Sequence, residues 1–289
     1  MNTLASSAVA DGAARRGRPW GLWRRQIAAV LRLELKRSFA GRSAIGTYLL
    51  AFAPVLLFML PLVKPGIIHD RTNLGEATTL FAGVYQLFML RVAIFLSGVA
   101  IFGSLIRREM LDRSLHYYLL APIRRELLVA AKYLAGLLVS VTLFVTAATV
   151  SFFLAYAPYD GDRVSRFLLH GPGLSHLGAY LLVTVLGCIG YGAVFLALGF
   201  FFRSPAIPAL AVFGWESVHF LLPPVLKKLS VIHYLQALCP VSLSEGPFAI
   251  LSDAPSPWVA IPGLLLLSAA LLALAAWRIR GMEIHYTED

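Results

Sequence analysis

Six long apolar runs, 44–63, 80–106, 133–157, 177–202, 206–223 and 258–277, constrain this chain more than any other feature. A helix needs roughly 20 residues to cross about 30 Å of hydrocarbon, and each run approaches or exceeds that length. Arg91 and Glu216 are the only charged residues inside them, although the chain carries 25 Lys+Arg and 15 Asp+Glu. Backbone in lipid must satisfy its own hydrogen bonds, which leaves helices or closed barrels. The runs lack the short alternating segments of barrel strands, so the expected fold is an all-α membrane protein with six transmembrane helices. With 58% hydrophobic residues, 14% charged and a mean hydropathy of +0.75, the chain lies far from soluble domains, in which about a quarter of residues are charged. That balance excludes a water-soluble globular enzyme and a disordered chain.

The distribution of basic residues gives the expected orientation. Nine Lys and Arg precede the first run, and six lie between the second and third: Arg107, Arg108, Arg113, Arg124, Arg125 and Lys132. Arg203 lies between the fourth and fifth, and Arg278 and Arg280 follow the last. The alternate connections hold only Lys64, Arg71, Arg163, Arg166, Lys227 and Lys228. Cytoplasmic loops carry the excess of positive charge, so both termini are expected in the cytoplasm of a cell (inner or plasma) membrane protein. The same reading accounts for the net charge of +10 without a nucleic-acid partner.

Residues 1–19 read as a disordered cytoplasmic tail, and no cleavable signal peptide is expected, because no uncharged apolar stretch directly follows the basic cluster. Over 20–43 the pattern is amphipathic: Trp23, Ile27, Val30 and Leu31 fall on one side and Arg25, Arg32 and Lys36 on the other, with Glu34 and Arg37 intruding on the apolar stripe. This is the pattern of an interfacial helix leading into the first span; a juxtamembrane basic anchor is the plainer reading. Residues 44–277 form the expected transmembrane domain and 278–289 a cytoplasmic tail. Between the last two spans, 225–257 contains apolar pieces broken by Pro240 and Pro247, too short to span, which fits an outer segment that dips into the leaflet, caps the bundle or forms a structured loop.

Phosphate-loop, HExxH, CxxC and GxSxG motifs are absent from the sequence, and catalysis is not expected of this chain. Cys188 and Cys239 provide neither a disulfide framework nor metal-ligand spacing. Glu216 and His219, three residues apart on the fifth run, share a helical face, but two ligands make a weak metal site; no metal or other cofactor is expected here.

The connection between the second and third runs holds the most specific information. Its charged ends flank Leu111, Leu115, Tyr118 and Leu119, a helical apolar stripe that Pro122 ends. Such a helix can lie on lipid or dock into a groove of a partner. Glu109, Ser114, Leu119-Leu120, Pro122, the pair Arg124-Arg125 and Lys132 together resemble the signature loop of ABC-2 type transporter permeases, although Arg113 stands where members commonly carry glycine. The interfacial helix, the six spans, the broken outer segment and the basic tail resemble that family as well.

The resemblance implies the membrane-spanning subunit of an ATP-binding-cassette exporter. It implies a path between two permease copies, or one copy and a homologue, above two separate ATPase subunits that bind ATP and Mg. The coupling helix would present Glu109, Ser114, Leu115, Tyr118, Leu119, Pro122, Arg124 and Arg125 to the ATPase. A secondary transporter or channel driven by an ion gradient is the rival class.

Arg91 lies 15 residues before the inner end of its run and Glu216 lies 13 residues after Arg203, which places both about 20 Å from the inner boundary. Charges at such depth usually face a partner or a wet cavity. The second and fifth spans tend to line the path in the resembling family, so an Arg91–Glu216 pair beside it, with His219 as a third member, is one expectation. The alternatives are an Arg91 that snorkels to the outer headgroups and a protonated Glu216 bonded to backbone.

Overall fold

The computed structural model describes residues 44–64, 66, 72–111, 125–202, 204, 206–243 and 255–280, together with Ala28, Leu31 and Arg32. Regular structure among the described residues is entirely helical. Among the described residues, five helices are long and apolar enough to cross a membrane. The chain is thus an all-helical, multi-pass membrane protein by the length and composition of its helices.

The first span is α1 (Ala44–Val63), matching the first apolar run. Next comes one continuous helical rod made of α2 (Leu74–Gly83), a π-helical stretch (Val84–Ile94) and α3 (Phe95–Leu111). Asn73 starts this rod, its side chain accepting from the Glu76 N–H at 3.4 Å. The third span, α4 (Arg125–Tyr156), begins eight residues before the apolar run, and short α5 (Gly161–Leu169) leads to α6 (Gly173–Phe201). The last span is α10 (Pro257–Arg280). Trp258 and Trp277, both largely exposed on it, are about 28 Å apart at the helical rise, the separation of the two aromatic belts of a bilayer.

The fifth apolar run differs from its expected single span. Helix α7 (Ala206–Ser217) has 12 residues, about 18 Å of rise, and gives way to a 3₁₀ turn, His219–Leu221. Pro223 and Pro224 follow, and a proline inside a helix removes a hydrogen bond and clashes with the preceding turn. Two further short helices complete the segment, α8 (Pro224–Lys227) and α9 (Val231–Ala237). Where one helix was expected over 206–223, the chain builds the 12-residue α7 and a 3₁₀ turn, and α9 falls within the expected outer segment 225–257. Of the expected interfacial segment 20–43, only Ala28, Leu31 and Arg32 are described; they are helical, with Leu31 half-buried and Arg32 exposed. The tails 1–19 and 281–289 lie outside the described residues.

Helix α6 is the hub, packing against α10, α3 and α4 most extensively and also against α9. Lipid tails are as apolar as leucine, so helix association rests on close packing rather than on removing surface from water. Small residues make that possible: a Cβ on Gly192 of α6 or on Gly136 of α4 would stand 2.7 Å from the Phe102 ring. Phe102 of α3 is therefore clamped between two helices at glycine contacts. At the opposite end, Phe81, Tyr85, Phe152, Tyr156 and Tyr180 form an aromatic cluster with centroids 4.6–5.9 Å apart. Two of its hydroxyls are spent inside the protein, Tyr85 donating to the Tyr180 carbonyl at 2.8 Å and Tyr156 pairing with the Thr78 hydroxyl at 3.0 Å.

Candidate site at the break between α7 and α9

Helix α9 lies inside the bundle, with Val231, Ile232, Tyr234 and Leu235 buried. Its seat is made by glycines: a Cβ on Gly190 of α6 would come within 2.8 Å of Val231, and one on Gly263 of α10 within 2.8 Å of Tyr234. A helix buried this way still has free N–H groups in its first turn, and no water replaces a missing acceptor in hydrocarbon.

Glu216, the penultimate residue of α7, supplies the acceptors. Its carboxylate accepts from the Ser230 hydroxyl at 2.8 Å and the Ile232 N–H at 2.9 Å through Oε2, and from the Val231 N–H at 2.9 Å through Oε1. Ser230 stands at the N-cap position of α9, yet its side chain makes no capping bond to the helix; it donates to Glu216 instead. The carboxylate of one short helix thus caps the next and closes the break between them. At the far end of the segment, the side-chain amide of Gln86, in the π-helical stretch, donates to the Val241 carbonyl at 2.6 Å.

Arg91 also lies in the π-helical stretch, within electrostatic reach of Glu216. The two do not touch, and the buried Arg91 Nε has no hydrogen-bond partner among the described residues. His219 is buried in the 3₁₀ turn, with Nδ1 3.1 Å from the Glu216 backbone carbonyl. The expected trio therefore gathers in one region, with backbone and Ser230 rather than Arg91 on the carboxylate. This is close to the alternative of a Glu216 bonded to backbone, with the glutamate accepting.

Beside Glu216 a half-open cleft of about 310 Å³ lies between α6, α7 and α10. Its walls include Ala197, Phe201, Trp215, Leu271 and Leu274, and Glu216 is its one charged lining residue among the described residues.

Of the expected coupling residues, Ser114, Leu115, Tyr118, Leu119, Pro122 and Arg124 lie outside the described residues. Glu109 falls in the last turn of α3 and Arg125 opens α4. Lys132, read from sequence as the opening of the next span and the last residue of the signature-loop pattern, is buried and donates from Nζ to the Leu105 carbonyl at 3.2 Å. It ties together the two helices that flank the loop. Compared with protein-family models and with curated proteins, the chain matches none.

Proposed function

We propose that this chain is the membrane-spanning subunit of an ATP-binding-cassette exporter of the ABC-2 type, acting in the cell membrane with a second permease copy or homologue and two ATPase subunits. The observation that carries the reading is the pair of helical arms on the charged loop. Helices α3 and α4 continue beyond their apolar runs to Leu111 and from Arg125, and the Lys132–Leu105 bond joins them at the base. A loop held this way transmits a push or pull from a docked ATPase into two spans and, through Phe102, into the hub helix α6. ATP-driven closure of the ATPase pair would then shift the bundle between inward-open and outward-open states.

The test is transport in proteoliposomes containing this chain and a candidate ATPase subunit from the same genome. Export should require ATP hydrolysis, and Leu115→Asp or Glu109→Arg should lower substrate-stimulated ATPase activity in an inserted, folded protein. Unchanged coupling in both variants would return the loop to a lipid-contacting role. The break between α7 and α9 and the π-helical stretch that carries Arg91 favour a second reading, an ion-gradient-driven transporter or channel, because such proteins place interrupted helices around their binding sites. Transport that follows an imposed ion gradient without ATP would establish it.

A further inference from the structure

We infer that the cleft between α6, α7 and α10 binds a membrane-resident cationic amphiphile, with its cationic head at Glu216 and its alkyl chain along the apolar wall. The inference does not depend on the permease reading, because it concerns binding alone. At about 310 Å³ the cleft reaches the lower end of the range of small-ligand sites, ~300–1,000 Å³. Val194 to Phe201 on α6 and Leu267 to Leu274 on α10 bound it, each a stretch of about 10 Å. Glu216 lies at one end: Val231, whose N–H it binds, packs where Gly190 meets Leu264, while Phe201 and Leu274 mark the other.

The apolar wall alone selects nothing, since an alkyl chain gains little on leaving lipid that is equally apolar. Selectivity must come from Glu216. Three neutral donors hold its carboxylate, and no cation lies within ion-pair distance of it among the described residues. Oε2 accepts two hydrogen bonds and Oε1 one, and each carboxylate oxygen offers about two acceptor sites, which leaves a position at Oε1 for which the nearby buried Tyr191 hydroxyl, unpartnered among the described residues, is the competing donor. A carboxylate with no cation paired directly to it, in a medium of low dielectric, attracts a cation far more strongly than in water. Trp215 on the same wall adds a ring face of the kind that attracts ammonium groups. Arg91 does not line the cleft and acts on Glu216 only from a distance. Anionic chains would be repelled, and neutral ones would bind no better than lipid.

The experiment uses the full chain in phosphatidylcholine nanodiscs, titrated by calorimetry with dodecylammonium and with dodecanol. The cation should bind saturably and at least tenfold more tightly than the alcohol. Leu271→Trp, which fills the cleft away from Glu216, should abolish saturable binding while the unfolding temperature is kept, and Glu216→Gln should erase the preference for the cation. Equal affinity for cation and alcohol would overturn the inference and leave the cleft as a slot for any lipid tail. Undiminished binding to a folded Leu271→Trp would overturn it too, by placing the cation elsewhere. The comparison of the two ligands on the unaltered chain decides the matter even if either variant fails to fold.

Discussion

Glu216 holds the first turn of α9 by three hydrogen bonds, and that geometry makes its substitution predictable. Glu216→Leu removes the acceptor from a hydroxyl and two backbone N–H groups at once; with ~1–3 kcal/mol for each buried group left unsatisfied, a loss on the order of 3 kcal/mol or more is expected. Ser230→Ala deletes one donor and leaves the two backbone bonds, so its loss should be about 1 kcal/mol. Thermal unfolding of both variants in detergent checks the order, and equal losses would contradict the capping role. The charge swap Arg91→Glu with Glu216→Arg provides a separate test. An arginine at 216 would face N–H and O–H donors with donors of its own, so the double variant should recover nothing beyond the sum of the single changes. Recovery of expression or activity in the swap would mean that the two charges depend on each other more than on α9.

Among the elements, what was legible in the sequence and what was not divide along a physical line. Long apolar runs with charged flanks could be read directly, and α1, α6 and α10 fall within a few residues of their expected spans, because lipid imposes length and polarity on an isolated helix. The break in 206–223 was less legible. Hydropathy does not distinguish a continuous helix from two short ones, and the Pro223-Pro224 pair was the local signal for the break. The position of α9 depends on glycines 40 or more residues before it and 26 or more after it in the chain, which no local pattern reveals. Arg91, Glu216 and His219 stood out as polar residues in apolar runs and do gather in space; the partners of the Glu216 carboxylate, Ser230 and the α9 backbone, are ordinary in sequence. Lys132 was hidden for the opposite reason, since a lysine at the mouth of a span reads as a solvated anchor. Its burial predicts that Lys132→Ala lowers stability by on the order of 2 kcal/mol, the worth of a hydrogen bond to a charged group, and speeds proteolysis within the connection 112–124. Proteolysis unchanged from that of the parent chain would show that α3 and α4 hold the loop without this bond.

For the whole molecule, the open question is on which side of the membrane the chain emerges after the broken segment. Five long helices and one interrupted pair admit two topologies. If α7 and α9 together cross, residues 244–256 lie outside and α10 returns the chain to the cytoplasm; if the pair turns back, α10 ends outside. The packing favours a crossing. Val231 sits against Gly190, and Leu235 against Gly187, so α9 advances along α6 toward its Gly173 end, while α7 leaves the Phe201 end and reaches Val231 through Glu216. The excess of Lys and Arg on the expected cytoplasmic connections points the same way. Single cysteines introduced at Ser114, Asp162 and Asp289 resolve it, because native Cys188 is buried and Cys239 half-buried and both should contribute little background to an impermeant thiol reagent in intact cells. Asp162→Cys should react, while Ser114→Cys and Asp289→Cys should remain shielded until the membrane is permeabilised. Labelling at 289 but not at 114 would place α7 and α9 in a re-entrant hairpin and the two ends of α10 on the sides opposite to those expected. Labelling at 114 from outside would invert the entire orientation and move the charged loop away from any cytoplasmic ATPase.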